Sequence, residues 1–324
     1  MRKLASVQKI RGIYPIPDSD NLEKAIINSW HVVVKKGEYK AGDFVVYCEP
    51  DSFLPIKPEY EFLRATSYKK MGDREGFRLK TIRLRKQLSQ GLVLPLGDIS
   101  AQEGDDVSDL LGIVKYEPPV DASISGDIWG TFPGFLKKTD EERIQNLTDE
   151  YEEWKNLGIY FTATEKLHGT STTFFKYKGE FGVCSRNYRL KETEGNALWV
   201  MAKKLEVEKW IPDNYVIQGE LIGPKICDNM YQLKEHDFFA FNVFDISSDF
   251  IDNKVKIFKK YMNVVPEIHT IKLPNTIEEL LIMSDGKSLL NSKVDREGLV
   301  YMRSGQKKDI SFKAISNKCL EKEK

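Results

Sequence analysis

The chain has 324 residues, enough for about two domains at the usual 100–200 residues each, and its 41% hydrophobic and 30% charged residues describe an ordinary globular protein, not a disordered one. Lys+Arg and Asp+Glu both number 49, so the formal net charge is zero and any nucleic-acid surface must be local. No apolar run approaches the roughly 18 residues of a membrane span, no signal-like segment follows Met1-Arg2-Lys3-Leu4, and Cys48, Cys184, Cys227 and Cys319 form no C-x-x-C pair. These features predict a cytoplasmic protein with no membrane contact, zinc ribbon or disulfide framework.

In chain order, residues 1 to about 115 read as short strands broken by turns: Ser6 to Ile10, Ala25 to Val34, Asp43 to Glu49, Arg78 to Leu84 and Gly91 to Leu94. About five strands in about a hundred residues suit a small barrel, an OB fold first of all. Arg78 with Lys80, then Arg83 with Arg85, alternate along an expected strand pair with Lys86 beside them, so each pair shares a face that could track a phosphate backbone; a solvated edge strand explains the same pattern. Glu117-Pro118-Pro119-Val120-Asp121-Ala122-Ser123 reads as a linker, because two prolines and small residues sustain neither helix nor ladder. The expected division is residues 1–116, a linker 117–137, and a second domain 138–324.

Thr139-Asp140-Glu141-Glu142 has the form of a capping box, and Ile144, Leu147, Tyr151 and Trp154 follow at helical spacing. Strands are then expected at Ile159 to Thr164, Ser171 to Tyr177, Phe181 to Ser185, Tyr215 to Leu221, Phe238 to Asp245, Gly298 to Met302 and Ile310 to Ala314. Helices are expected at Asn196 to Trp210 and Thr276 to Met283. The fold class is therefore α+β, with an OB-like β-barrel in front.

Thr164-Glu165-Lys166-Leu167-His168-Gly169-Thr170 ends a strand on a lysine with a glycine three residues later, which alone is a weak signal. It is followed in order by Ser185-Arg186-Asn187, Gln218-Gly219-Glu220-Leu221-Ile222-Gly223, Phe241-Asn242-Val243-Phe244-Asp245, Glu297-Gly298-Leu299-Val300 and Ser311-Phe312-Lys313. In this series the chain resembles the covalent nucleotidyltransferases, which include ATP-dependent DNA and RNA ligases and GTP-dependent mRNA capping enzymes. With the N-terminal barrel and the Pro133-Gly134-Phe135 and Thr139 to Asn146 segments, it is similar to the Deinococcus-type RNA ligases, which carry an OB module before an adenylyltransferase domain.

That resemblance implies a reaction. Lys166 would take AMP from ATP, pass it to a 5′-phosphate, and release it when a 3′-hydroxyl attacks. The substrate would be RNA or an RNA/DNA duplex with such ends, in a nick or a break, with no obligate protein partner. A lysine with a pKa of about 10.4 is neutral in only roughly one molecule in 2,500 at pH 7, a penalty of about 4.6 kcal/mol, so the site must disfavour its ammonium form. The resemblance assigns that work to Lys313 with Mg²⁺ or Mn²⁺. It makes Glu297 the better metal ligand, and gives Glu220 either the metal or the ribose hydroxyls. It gives Phe244 the adenine face and Glu165 the adenine edge, and it puts His168, Gly169 and Arg186 around the nucleotide or the 5′-phosphate end. Arg143, in the matched 139–146 segment, joins Arg78, Lys80, Arg83 and Arg85 as a candidate contact to nucleic acid.

Two departures from the superfamily pattern stand out: His168 replaces the usual Asp of the first motif, as in the RNA-ligase branch, and Ser311 replaces the first of two lysines in the last. The rivals are a GTP-dependent capping enzyme, disfavoured because the chain runs only eleven residues past Lys313 where capping enzymes carry a further OB domain, and a non-catalytic nucleic-acid-binding relative.

Overall fold

The computed structural model describes residues 2–117, 127–138, 140–247, 251–252, 255–304, 307–308 and 310–321. Thr139 and residues 118–126, the part of the expected linker that holds Pro118 and Pro119, lie outside them. The chain divides into two compact units. The first comprises Met1–Pro119 with Gln145–Thr148 and Leu320–Lys324, and the second Val120–Ile144 with Asp149–Cys319.

In the first unit, strands β1 (Ala5–Pro15), β2 (Leu22–Ile27), β3 (Trp30–Lys35), β4 (Phe44–Cys48), β5 (Ser52–Pro55), β6 (Tyr68–Met71), β7 (Arg74–Arg78), β8 (Thr81–Leu84), β9 (Gln87–Gln90), β10 (Leu92–Pro95) and β11 (Val114–Lys115) follow in order. They build sheets β10-β4-β1-β2-β3 and β11-β5-β7-β6 and the hairpin β8-β9. In β3, Trp30, Val32 and Val34 point inward and alternate with half-buried His31 and Val33, the period of two that a half-buried strand requires. Two expectations are corrected. The single strand expected over Ala25 to Val34 is a hairpin, because Asn28 adopts φ 52°, a left-handed conformation that asparagine tolerates, and Ile27 folds back against Trp30. The strand expected over Arg78 to Leu84 is broken: β7 ends at Arg78, β8 begins at Thr81, and Arg85 and Lys86, both at positive φ, form the two-residue turn into β9. Among the described residues the core includes a cluster around Leu54, Phe77, Val46 and Cys48 and another around Trp30, Val32 and Tyr47. Each such fully buried side chain contributes roughly 1.5–3 kcal/mol.

The second unit holds β12 (Ile128–Thr131), β13 (Tyr160–Lys166), β14 (Thr170–Tyr177), β15 (Glu180–Cys184), β16 (Tyr188–Leu190), β17 (Tyr215–Ile222), β18 (Asp237–Asp245), β19 (Ile251–Asp252), β20 (Asn263–Val264), β21 (Glu267–Lys272), β22 (Gly298–Arg303), β23 (Lys307–Lys308) and β24 (Ser311–Ile315). Seven strands pair in the order β12-β16-β15-β14-β17-β18-β20 and four in the order β21-β13-β22-β24. On one face of the large sheet, Phe174, Val183, Ile217 and Val243 pack with Leu198, Met201 and Ala202 of the helix Ala197–Lys204. The other face carries Phe175, Cys184, Val216 and Phe244, and the strand alternation brings Ser171 and Glu220 to that same face.

The helices are close to expectation where caps are present. Asn196 accepts from the backbone N–H groups of Leu198 and Trp199, and Thr276 from that of Glu279, opening Ala197–Lys204 and Ile277–Ser284. The first helix stops early because Glu206 turns left-handed at φ 50°. The helix expected from Thr139 begins instead at Thr148. Glu142 and Arg143 are committed to β24, the Lys313 N–H donating to the Glu142 carbonyl at 2.8 Å, and a backbone used as a strand partner cannot coil.

Candidate active site

Register brings the candidate site together. Lys166, the last residue of β13, lies opposite Gly298, the first of β22, so Glu297 directly precedes the lysine's partner. The chain then crosses to the large sheet through Leu167, His168 and Gly169 and enters β14, where Ser171 lies opposite Glu220. Both crossing points need glycine. A Cβ on Gly169 would lie 2.3 Å from the Leu221 carbonyl oxygen, and one on Gly298 would lie 2.4 Å from that of Ala314.

The Lys166 Nζ donates to Glu297 Oε1 at 2.5 Å, and His168 Nδ1 stands 3.6 Å from Glu297 Oε2. Burial alone would lower the lysine's pKa, but the Glu297 and Glu220 carboxylates outweigh it and hold it above the ordinary lysine value. Burial pushes Glu220 up to about 7, Lys166 opposing, while Glu297, despite its burial, is held down to about 2, chiefly by Lys166 and His168. His168 is held well above the ordinary histidine range by the Cys227 sulfur and by Glu297. The neighbouring carboxylates thus stabilise the ammonium, while the expected lowering of the lysine's pKa calls on a divalent cation and Lys313 as well as burial.

Among the described residues, two buried carboxylate oxygens have no hydrogen-bond partner: Glu297 Oε2 at this centre, and Oε1 of Glu165, a residue 1% exposed whose Oε2 accepts from the Leu289 N–H at 2.8 Å. Among the described residues no three His, Cys, Asp or Glu side chains form a metal cage. Two hard carboxylates with one open oxygen instead suit Mg²⁺ or Mn²⁺, which keep waters and share their coordination with substrate phosphates.

The remaining candidates separate into those at this centre and those elsewhere. Lys313 lies across β22 from Thr164, since both pair with Val300, and therefore faces the same side of the small sheet as Lys166. Arg186, half-exposed in the turn between β15 and β16, makes a forked ion pair with Asp140 at 2.8 and 2.9 Å. Phe244 is corrected: at 1% exposure it is enclosed by Leu136, Phe175, Cys184 and Val216, leaving no ring face open for a base. The half-buried Phe241, three residues earlier, packs against the cluster of Leu167 and Tyr231 where β18 bulges.

The basic candidates also divide. Arg143 is corrected, because at 6% exposure its side chain is not available to a polyanion. Arg78 is bound to Asp51 at 2.8 Å and lies over the Tyr116 ring, and it shares no continuous strand with half-buried Lys80. Arg83 bonds Glu321 at 2.5 Å, and Arg85 is exposed at the hairpin turn. Sequence reasoning missed Tyr231, whose hydroxyl accepts from the His168 N–H at 2.8 Å, and Asn291, which donates to the Tyr231 carbonyl; neither lies in a recognisable motif.

The sequence matches a family model of an OB-fold domain over residues 4–96 and one of RNA ligase over residues 159–315. None of the curated proteins matches it significantly. Among solved structures it is similar to a Naegleria gruberi RNA ligase variant with AMP and Mn, at 40% identity and a TM-score of 0.92 over 99% of each chain. It is also similar to a variant of that ligase with ATP and Mn, at 39% identity and a TM-score of 0.92 over 99% of each chain. A third similar structure is that ligase with PPi, at 40% identity and a TM-score of 0.91, covering 99% of this chain and 98% of the other. Those structures favour a ligase over a capping enzyme, and likeness at 39–40% identity over nearly the whole of each chain places this chain in the RNA ligase family, as an ATP-dependent enzyme with an OB-fold module in front of its nucleotidyltransferase domain.

Proposed function

We propose that Lys166 is the residue adenylylated by ATP, and that the enzyme then moves AMP to a 5′-phosphate and joins that end to a 3′-hydroxyl in nicked or broken RNA or an RNA/DNA duplex. The observation that carries this reading is the Lys166–Glu297 contact at 2.5 Å with the Glu220 carboxylate acting on the same amine, where the chain passes from the small sheet to the large one. A divalent cation held by Glu297 and Glu220 would draw those carboxylates from the ammonium and offset charge on the α-phosphate and the leaving pyrophosphate. Lys166 must lose its proton for the Nζ lone pair to attack; the N–P bond forms as the bond from the α-phosphorus to the bridging oxygen breaks, and pyrophosphate leaves with that electron pair. Lys313, on the same side of the sheet, adds positive charge for the phosphates.

For the base, the open Oε1 of Glu165 fits the amino edge of adenine and Phe241 fits its face. Arg186 is the phosphate fork for the 5′ end, exchanging Asp140 for the nucleic acid. Exposed Arg83 and Arg85 on the OB hairpin supply backbone contacts, with Arg78 serving structure instead. A reducing compartment such as the cytoplasm fits four free cysteines, and no described helix is long and apolar enough to cross a membrane. The test is incubation with α-labelled ATP and Mn²⁺ or Mg²⁺ followed by peptide mapping. An acid-labile label on Lys166 is expected; a label mapped elsewhere overturns the assignment.

A further inference from the structure

Far along the large sheet from Lys166, a second feature faces the same way. The strands β14, β15 and β16 place Thr173 opposite Cys184 and Cys184 opposite Arg189, while Thr173 also faces Gln218 of β17. Arg189 therefore shares the face that carries Glu220, two residues beyond Gln218. The edge strand β12 pairs Ile128 with Leu190 and Gly130 with Arg189, so Trp129 is the extra residue of a β-bulge. Bulges re-aim side chains, and this one leaves Trp129 64% exposed.

That exposure is not slack in the fold. The Arg189 guanidinium lies 4.8 Å from the Trp129 ring centre and 5.4 Å from that of Phe175, and an ion pair to Glu180 fixes it from the side. Phe135, 41% exposed, continues the row by stacking on Tyr177 at 4.5 Å and meeting Phe175 edge-on at 5.6 Å. Residues 128–138 and 186–191, which carry Trp129, Phe135 and Arg189, contain Lys137, Lys138, Arg186, Arg189 and Lys191 and no Asp or Glu, with Arg186 and Arg189 paired to Asp140 and Glu180 from outside them. A ring held open by a guanidinium and set in a locally cationic stretch complements a polyanion with flat bases, whereas an apolar protein partner would not call for the charge.

We propose that Trp129, backed by Arg189, is a stacking platform for a base of the RNA strand that carries the broken end. The proposal rests on the ligase reading above and adds to it how far the substrate must extend. Four strand spacings and one residue pair separate the platform from Glu220, about 20 Å, which is five or six nucleotides at about 3.4 Å each. Substrates with fewer nucleotides than that on the platform side should be sealed poorly even though their ends are chemically complete.

The experiment compares the full-length protein with Trp129→Ala and Trp129→Phe. RNA binding is followed by anisotropy of a fluorescent nicked RNA duplex, sealing by product length, and Lys166 labelling with ATP alone. Trp129→Ala should bind RNA roughly 5- to 100-fold more weakly, the range expected for one lost stacked base, and should lower sealing without lowering the label. Trp129→Phe should restore most of the binding. Shortening the RNA stepwise on either side of the nick should reproduce the Trp129→Ala defect in the unsubstituted protein below about five nucleotides on one side. Unchanged RNA affinity in Trp129→Ala overturns the platform, and so does a change of oligomeric state at constant RNA affinity, which would make Trp129 a contact between copies. Absence of label in the unsubstituted protein overturns the ligase reading instead, since the binding measurement does not depend on it.

Discussion

An amine hydrogen-bonded to a carboxylate at 2.5 Å stays protonated until something competes for that carboxylate. Lys166→Ala and Lys166→Arg should both abolish the adduct, the second because a guanidinium offers no neutral lone pair; labelling of either variant is the check. Glu297→Gln separates two effects. It removes the carboxylate that raises the lysine's pKa, so the pH at which Lys166 reacts with an amine-directed reagent should move down. Adenylylation should nevertheless collapse, because the metal loses its ligand. Lower pKa with lower labelling is the expected pair, and retained labelling would remove Glu297 from the mechanism. The two phenylalanines also part company: Phe244→Ala should destabilise the fold by roughly 3–5 kcal/mol, as buried aromatics do, whereas Phe241→Ala should unfold near the wild-type midpoint and bind ATP more weakly.

The elements explain why such side chains meet. Gly169 enters β14 against the Leu221 carbonyl, and Gly169→Ala would force that strand apart by more than any rotamer can absorb. A loss of roughly 1–3 kcal/mol in denaturant unfolding is expected, together with a sharper loss of labelling, since His168 and Lys166 precede it on the same crossing. The seven strands expected in the second unit all occur in the structure, because each is an apolar stretch long enough to be buried on at least one side. Among the strands that went unread, β12, β16 and β20 are two to four residues long and take their form from neighbours, while the six-residue β21 has no fully buried side chain and so no apolar face to read. The motif residues were legible as types in order, but their geometry was not. The burial of Phe244 and Arg143 depends on what packs over them, and Lys166 is governed by carboxylates 54 and 131 residues away in sequence. A hairpin at Asn28 was hidden because seven of the ten residues from Ala25 to Val34 are apolar, and the short pair Asn28-Ser29, with Asn28 left-handed, is the whole of the turn.

For the whole molecule, the two family matches divide the labour: all the motifs for ATP follow residue 159, and the OB fold precedes residue 97. A fragment beginning at residue 121 should keep Lys166 labelling and lose nick sealing, since positioning two ends can contribute many orders of magnitude to their joining. It also loses Trp30 and Glu49, which bind the Asn146 side chain at 2.6 Å each, so the fragment should melt earlier even where it labels. Parallel measurement of melting, labelling and sealing separates these effects. Neutralising Arg83 and Arg85 should weaken RNA binding and flatten its dependence on salt, with each lost phosphate contact reducing the slope by about 0.7–0.9. Arg78→Ala should act on stability instead, through Asp51 and Tyr116.

The pairing of Lys166 with Gly298 has a consequence for how such a chain can change over generations. Alternate residues of a strand face opposite sides, so inserting or deleting one residue inside β13 or at the start of β22 would send the amine or the carboxylate to the wrong side of the sheet and leave no half-working intermediate. Length can drift in the stretches between strands, where an added residue changes neither partner. Those two strands, by contrast, are locked to a fixed count, and descendants of this chain should vary freely in spelling there but never in number.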